Sequence, residues 1–527
     1  MYKEFLIQIE AKITGEFKLN YVSYLIDMGR DYNDPKLIKK GISRGEDLLD
    51  AYKEVYNNKQ LCKLNYYIAN GYGNLYHLEF TKKRGWQKVL NNDNLQKVKE
   101  YSRDAIKYLK DAPIGLQKRI WTNYANCLST LGRNMDALFA YEEVLKLDPN
   151  FSMAIANKAI AMRVFADISG NYRDAIYSET YQMLNSVKYR PDLIANGGIE
   201  AKYSVEKEIK YIESVMDKKN LSKKIEHNPY DLSKLSLFER FYIEFCSNKQ
   251  LFLNFHIHED ICEASIFDPV FIRLWLPKNE ESVFLKLAKP INQIKEDYAV
   301  ARLLLVQSQF NTKDLDNINQ RTTFANTKDN SLSNIYIGLL KSAFKEAYNI
   351  LDKIARFINE YFWLGIPLNK NIYITSEKLW MDTIEKNKWI KNNKKRLKLD
   401  IIESNNASLY ALYDLSLDLN FETGYYTNLR IMRNKLIHEK LIIHDNNWDD
   451  KEDYYNISYE KMLKRTIRLF KIVKSAIIHL INAVYNNEKR KQSFILNNYE
   501  FQDGSYINQY LDQIHSIILE YSYYHKI

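Results

Sequence analysis

Residues 121–149, WTNYANCLSTLGRNMDALFAYEEVLKLDP, constrain the fold more than any other part of the chain. Trp121, Ala125 and Leu128 recur at spacings of four and three, Gly132 punctuates, and Ala137, Tyr141 and Val144 repeat the spacing before Pro149. This pattern predicts two amphipathic helices joined by a tight turn, with Ala125 and Ala137 small enough to let the helices approach. A lone hairpin of this kind cannot bury its own apolar face. At least three stacked units are therefore expected.

Further units are visible on both sides. FSMAIANKAIAM supplies Ile155, Ala159 and Met162 as another first helix, and GNYRDAIYSETY a partner helix after a short insertion. Upstream, LNYYIANGYGNLYHLEF places Ala69 and Gly73 at the close-packing positions. The order of small and large residues in 121–149 resembles a tetratricopeptide (TPR) repeat, so residues 1–215 are read as a TPR-like array. The resemblance implies a concave stack that binds a peptide, a partner protein or a trigger. Packing against the rest of the chain is the alternative.

Composition supports helices throughout, since 527 residues include only 16 Gly and 9 Pro. The 46% hydrophobic and 27% charged fractions are those of a globular chain. A net charge of +10 suits a polyanionic partner, although it is spread over a long sequence. Cys62, Cys127, Cys246 and Cys262 lie far apart and read as reduced thiols. The first residues interrupt their apolar positions with Lys and Glu, unlike a signal peptide, and no apolar run approaches the roughly 18 residues that span a bilayer. The expectation is a cytoplasmic protein with no membrane partner.

Residues 216–334 read as a mostly helical middle or linker region. Within it, HIHEDIC holds His256, His258, Glu259, Asp260 and Cys262. A His-x-His pair on a strand would point both imidazoles one way, as a metal site needs, and a polar loop end is the rival reading. With no second cluster at zinc-like spacing, no metal is assigned. From residue 335, Ile337, Leu340, Phe344, Ala347, Leu351, Ile354, Ile358 and Phe362 recur at helical spacing until Gly365 and Pro367. The basic stretch KNKWIKNNKKRLK follows, then the helices SLYALYDLSLDL, one holding IMRNKLIHEK, and a long EKMLKRTIRLFKIVKSAIIHLINAVY. Four such helices make a bundle. Residues 496–527, with Ile507, Leu511, Ile514 and Ile518, read as one more amphipathic helix suited to capping the bundle or the array. The fold class expected is all-α.

No phosphate-binding loop, dinucleotide fingerprint, nucleophile elbow or HExxH helix occurs. What remains is RNKLIH, with Arg433, Asn434 and His438. On a helical wheel Leu429, Met432 and Leu436 form an apolar stripe, Arg430, Asn434 and His438 form another face, and Arg433 lies on the flank. A plain solvated face is one reading of these residues, and a cleft walled by a second copy or another element is the other. Asp414 and Asp418, one turn apart, are placed to pair with Arg430 or Arg433 as a structural bridge.

The string Arg-Asn-x-x-x-His near the end of the third bundle helix resembles the signature of the HEPN superfamily. TPR-like repeats ahead of such a bundle resemble one bacterial subfamily, in which residues 335–495 would be the HEPN domain. The resemblance implies a metal-independent endoribonuclease that acts in anti-phage defence or as a toxin and needs no cofactor. Arg433, Asn434 and His438 would be catalytic. RNA carries its own nucleophile, so a proton-transferring His438 and a permanently charged Arg433 on the phosphate oxygens suffice, with Asn434 orienting the imidazole or the sugar. Dimerisation through this domain would bring two motifs together. Arg430 and Lys435 on the motif helix, and Lys394, Lys395 and Arg396 in the basic stretch with Trp389, are the candidate RNA contacts. For the basic stretch a solvated connecting segment is the alternative. The non-enzymatic alternative for the whole is an RNA-binding or dimerisation scaffold.

Overall fold

The computed structural model describes residues 16–80, 89, 92–221, 229–255, 261–274, 281–325, 327–367, 369–383, 395–420, 422–446, 448 and 455–498. The chain is all-α, with two three-residue β ladders as its only strands among those residues. It divides into two compact units. The first holds residues up to 164 and 174–225, the second residues 165–173 and those from 226 onward.

The first unit is a run of antiparallel helices: α1 (Glu16–Asp31), α2 (Pro35–Tyr52), α3 (Asn58–Phe80), α4 (Asp93–Lys107), α5 (Ile114–Thr130), α6 (Asn134–Leu147), α7 (Ser152–Arg163), α8 (Arg173–Val187) and α9 (Pro191–Val215). From α1 to α7 each helix packs on the next, and α1 also meets α3 while α5 meets α7, as stacked hairpins do. α5 and α6 are the helices of residues 121–149, joined through Gly132 at φ +81°. A left-handed residue there lets the chain reverse at no steric cost. Ala125 and Ala137 are fully buried, as their small size at a helix crossing requires. Upstream, Ala69 is buried too, but Gly73 is not the tight contact its place suggests. A Cβ at Gly73 would meet Val98 only at 3.8 Å, whereas one at Gly71 would meet Ile42 at 2.6 Å.

The second unit is built on α11 (Glu281–Gln307), α12 (Ile335–Tyr361), α13 (Ala407–Asp418), α14 (Thr427–His438) and α15 (Tyr459–Asn498), with α10 (Leu237–Asn248) ahead of them. Four of these were expected. The fifth, α11, falls within residues 216–334, read as a mostly helical middle or linker region, and it lies along α12 more extensively than any other helix does. Its seam is Ile291, Ile294, Tyr298, Ala301 and Leu305, all at most 2% exposed. Pro290 inside α11 hides it in the sequence, because proline ordinarily breaks a helix.

On α12 the stripe from Ile337 to Ile358 is buried as its periodicity predicts. α15 supplies the opposite wall with Met462, Leu469, Phe470, Val473 and Ile477, each at most 1% exposed. The segment 165–173 belongs to this unit: Phe165 stacks on Phe255 at 4.9 Å, and Asp167 accepts from Tyr485 at 2.9 Å.

A buried ion pair braces the unit from the α10 side. Arg302 of α11 donates to both oxygens of Asp268, at 3.0 and 2.8 Å, and to the Leu251 carbonyl at 3.1 Å. Despite burial, the guanidinium holds the Asp268 carboxyl below its ordinary range.

The strands are local clips. β1 (Met381–Thr383) pairs antiparallel with β2 (Lys395–Leu397), so the basic stretch ends in a ladder rather than running as a connector. β3 (Ile442–His444) pairs parallel with β4 (Asn456–Ser458) just beyond the motif helix. The expected helix over Ile507, Leu511, Ile514 and Ile518, and the His256, His258, Glu259 and Asp260 group, lie outside the described residues. No described helix is long and apolar enough to cross a membrane.

Candidate active site around the Arg-Asn-x-x-x-His helix

The motif helix α14 begins in a tight turn that its sequence dictates. Gly424 sits where an added Cβ would lie 2.4 Å from the Asn420 carbonyl oxygen and 2.5 Å from that of Asp418, so no side chain fits. The Tyr426 N–H donates to the Asp418 carbonyl at 2.7 Å, and the Thr427 hydroxyl donates to the carbonyls of Asn420 and Gly424. From this start, Leu429 (0% exposed) and Met432 (3%) face the core as the wheel predicts. Leu436, the third member of that stripe, is only partly buried.

Arg433 points along the flank toward α12. Its Nη2 stands 3.6 Å from Asp352 Oδ2, its guanidinium carbon lies 5.8 Å from the centre of the Tyr348 ring, and its Nη1 donates to Asn434 Oδ1 at 3.3 Å. Its Nε is buried with no hydrogen-bond partner among the described residues. These contacts are long. The same residue types in the Arg302–Asp268 pair close to 2.8 Å with two parallel bonds.

A guanidinium held this loosely keeps donors for a further oxyanion. Asp352 also accepts a backbone N–H from Ile374, yet burial dominates and pushes its carboxyl up to about 6. Burial first and then the Asp352 charge also push the Tyr348 hydroxyl upward. A carboxyl titrating that close to neutrality can exchange a proton in the working range.

His438 is the last residue of α14 and is exposed, five residues and about 7.5 Å along the axis from Arg433. Asn434 lies one turn before it on the same face, partly buried. Ile437 beside it is 41% exposed. The structure therefore brings Arg433 and Asn434 into contact and leaves the imidazole open at the helix end.

The remaining candidates divide. Arg430 is partly buried, and its charge acts on Asp352 and Tyr348. Lys435 donates to Glu439 at 2.5 Å and stands 3.8 Å over the Tyr455 ring, so its charge is already offset. Arg433's ion pair is with Asp352 rather than with Asp414 or Asp418, which are buried at 3% and 4% exposure. Lys394 and Trp389 lie outside the described residues, as do the side chains of Lys395 and Arg396. Lys398, from the same basic stretch, is buried and donates to the Leu364 carbonyl, a structural role. His444, close after the motif, is structural too: its ring is stacked on Trp448 and bonded to Asn456 and the Asp329 carbonyl.

Asp352 and Tyr348 are the residues sequence reading missed. They sit four apart on the flank of the α12 stripe, so a carboxylate one turn from a tyrosine beside an otherwise apolar seam was the available signal.

Fold and site together define a helical bundle with an Arg-Asn-x-x-x-His helix on one flank. Residues 279–487, which contain α11 to α14 and most of α15, match the family model described as LA2681-like HEPN. The match takes in Asp352, Arg433, Asn434 and His438, and it points to a nuclease or otherwise RNA-related role. Neither the curated proteins nor the solved structures contain a match to this chain.

Proposed function

We propose that the protein is a metal-independent endoribonuclease acting in bacterial anti-phage defence or as a toxin. In this reading the 2′-OH of RNA attacks the adjacent phosphate while His438 moves the proton and the Arg433 guanidinium takes the charge on the nonbridging oxygens. The observation that carries it is the loose seat of Arg433. An arginine 3.6 Å from its carboxylate, with a buried Nε lacking a described partner, is placed to hold an anion that the tight Arg302 fork could not accept. One chain offers one such imidazole at this site. A second copy packed on the exposed Ile437 face would supply another, which supports a homodimer through this domain. The stacked helices of the first unit support a TPR-like array that receives a peptide, protein or other trigger.

The competing reading is a non-catalytic RNA-binding or dimerisation scaffold, favoured by the fact that Asp352 already offsets the Arg433 charge. Total RNA incubated in EDTA with the wild-type protein and with His438→Ala separates the two. The enzyme yields 2′,3′-cyclic phosphate ends that the variant, unchanged in fold and oligomeric state, does not produce. Intact RNA under every condition that relieves inhibition leaves only the scaffold.

A further inference from the structure

From residue 461 to residue 474, α15 carries Lys461, Lys464, Arg465, Arg468, Lys471 and Lys474, and no acidic residue follows until Glu488. The six cations point in different directions. Lys471 and Lys474 turn inward to the side-chain and backbone oxygens of Gln250, at 3.0 and 3.1 Å. Arg465 lies on the flank, its Nη1 3.6 Å from the sulfur of Met432, the residue immediately before Arg433. Lys461, Lys464 and Arg468 are exposed, at i, i+3 and i+7, on one outward ridge beside that flank.

Some exposed helix lysines are paired with an acid one turn away, as in Lys97–Glu100, Glu143–Lys146 and Glu488–Lys491, at 2.8, 2.8 and 2.6 Å, whereas Glu460, one turn before Lys464, makes no ion pair with it among the described residues. The side chains of Lys464 and Arg468 form no ion pair or hydrogen bond among the described residues. A solvated face normally mixes signs. A face whose one acid, Glu460, stands at its start and leaves Lys464 and Arg468 unpaired, joined through Arg465 to the motif helix, complements a polyanion.

We propose that the α15 ridge, centred on Lys464 and Arg468, binds the phosphate backbone of the RNA substrate and leads it to the motif helix. The inference rests on the ribonuclease reading and adds to it the surface that holds the strand. The ridge spans roughly 10 Å along the helix, long enough to meet more than one phosphate. Contacts of this type hold the strand without reading its sequence.

The test uses the full chain carrying His438→Ala, so that RNA is bound without being cut. Its affinity for a labelled single-stranded RNA is measured across a salt series, with and without Lys464→Gln plus Arg468→Gln. A charge-matched control replaces the exposed Lys36 and Lys39 with Gln. The ridge variant is expected to bind roughly tenfold more weakly, whatever the RNA sequence. Its plot of log affinity against log salt becomes shallower by about 1.4, two single-strand contacts at about 0.7 each. The control is expected to match the parent. Equal affinity and slope in the ridge variant, an equal loss in the control, or no RNA binding by the parent overturns the proposal. RNA cleavage by wild type with unchanged binding in the ridge variant refutes the track alone. Ridge-dependent binding without any cleavage by wild type refutes the ribonuclease reading and leaves the track standing.

Discussion

The Arg433 guanidinium stands 3.6 Å from the Asp352 carboxylate, with both side chains less than a fifth exposed. Burial without close pairing leaves that carboxyl raised to about 6. Asp268, equally cut off from water but gripped by two Arg302 bonds and a backbone N–H from Leu253, is lowered instead. Two Arg–Asp pairs in one unit thus have opposite characters. The tight one is a brace, and the loose one has capacity left for a ligand.

Stability should record the Asp352 strain. Its folded value of about 6 lies above the ordinary 3.8, so the native state binds the extra proton between those two values. Stability from this group is therefore greatest at low pH and falls as pH rises through about 4 to 6. Asp352→Asn, which resembles the protonated form, is expected to exceed wild type by on the order of 1–3 kcal/mol at pH 8 and to match it near pH 3.5. Urea denaturation at several pH values measures the difference. A variant less stable than wild type at pH 8 would contradict the assignment.

Replacing each arginine separates brace from site. Arg433→Lys keeps the charge but loses the planar fork, so RNA cleavage is expected to fall by about 100-fold or more with little change in melting temperature. Arg302→Met strands the Asp268 carboxylate in the interior and is expected to cost about 3–5 kcal/mol. Cleavage assays and urea titrations of the two variants should therefore rank them in opposite orders.

What was legible in the sequence was local and periodic. The α5–α6 hairpin, the α12 stripe and the burial of Leu429 and Met432 all follow from 3.6-residue spacing, and the motif was visible as a string. Within a region expected to be mostly helical, the extent of α11 was hidden because Pro290 and the separated Lys286, Lys289 and Lys295 interrupt the apolar pattern around its five-residue seam. Asp352 was hidden for a different reason. Its role depends on Arg433, 81 positions later in sequence, and no local pattern encodes which carboxylate a distant guanidinium will meet. The β3–β4 ladder that takes up His444 is likewise a long-range pairing between three-residue segments.

The turn ahead of the motif helix offers a test of positioning. Gly424→Ala drives a Cβ against two backbone oxygens at 2.4 and 2.5 Å, and backbone cannot yield as a side chain can. A loss of about 1–3 kcal/mol is expected, together with a fall in RNA cleavage, because the start of α14 must shift. Gly338→Ala on α12 is the control. Nothing lies within 4 Å of its added Cβ, so it should stabilise by about 0.5–1 kcal/mol and leave cleavage unchanged.

Lys474 gives the opposite pH signature to Asp352. It is fully buried in α15, and burial, then the nearby Lys471 charge, pull its ammonium down to about 7, with Arg302 adding to the fall and Asp268 of the neighbouring loop opposing it. Below about 7 the folded protein carries this charge in its interior and the penalty is complete. Between 7 and the ordinary 10.5 the native state binds fewer protons than the unfolded chain, so stability rises with pH across that window. Lys474→Met keeps the length of the side chain and removes the charge, at the cost of one hydrogen bond to the Gln250 carbonyl, about 1 kcal/mol. It is expected to be more stable than wild type at pH 6 by a few kcal/mol, with the gap closing toward pH 10. Urea midpoints at pH 6, 8 and 10 decide it, and a gap that widens with pH would show that the ammonium is stabilised where it lies.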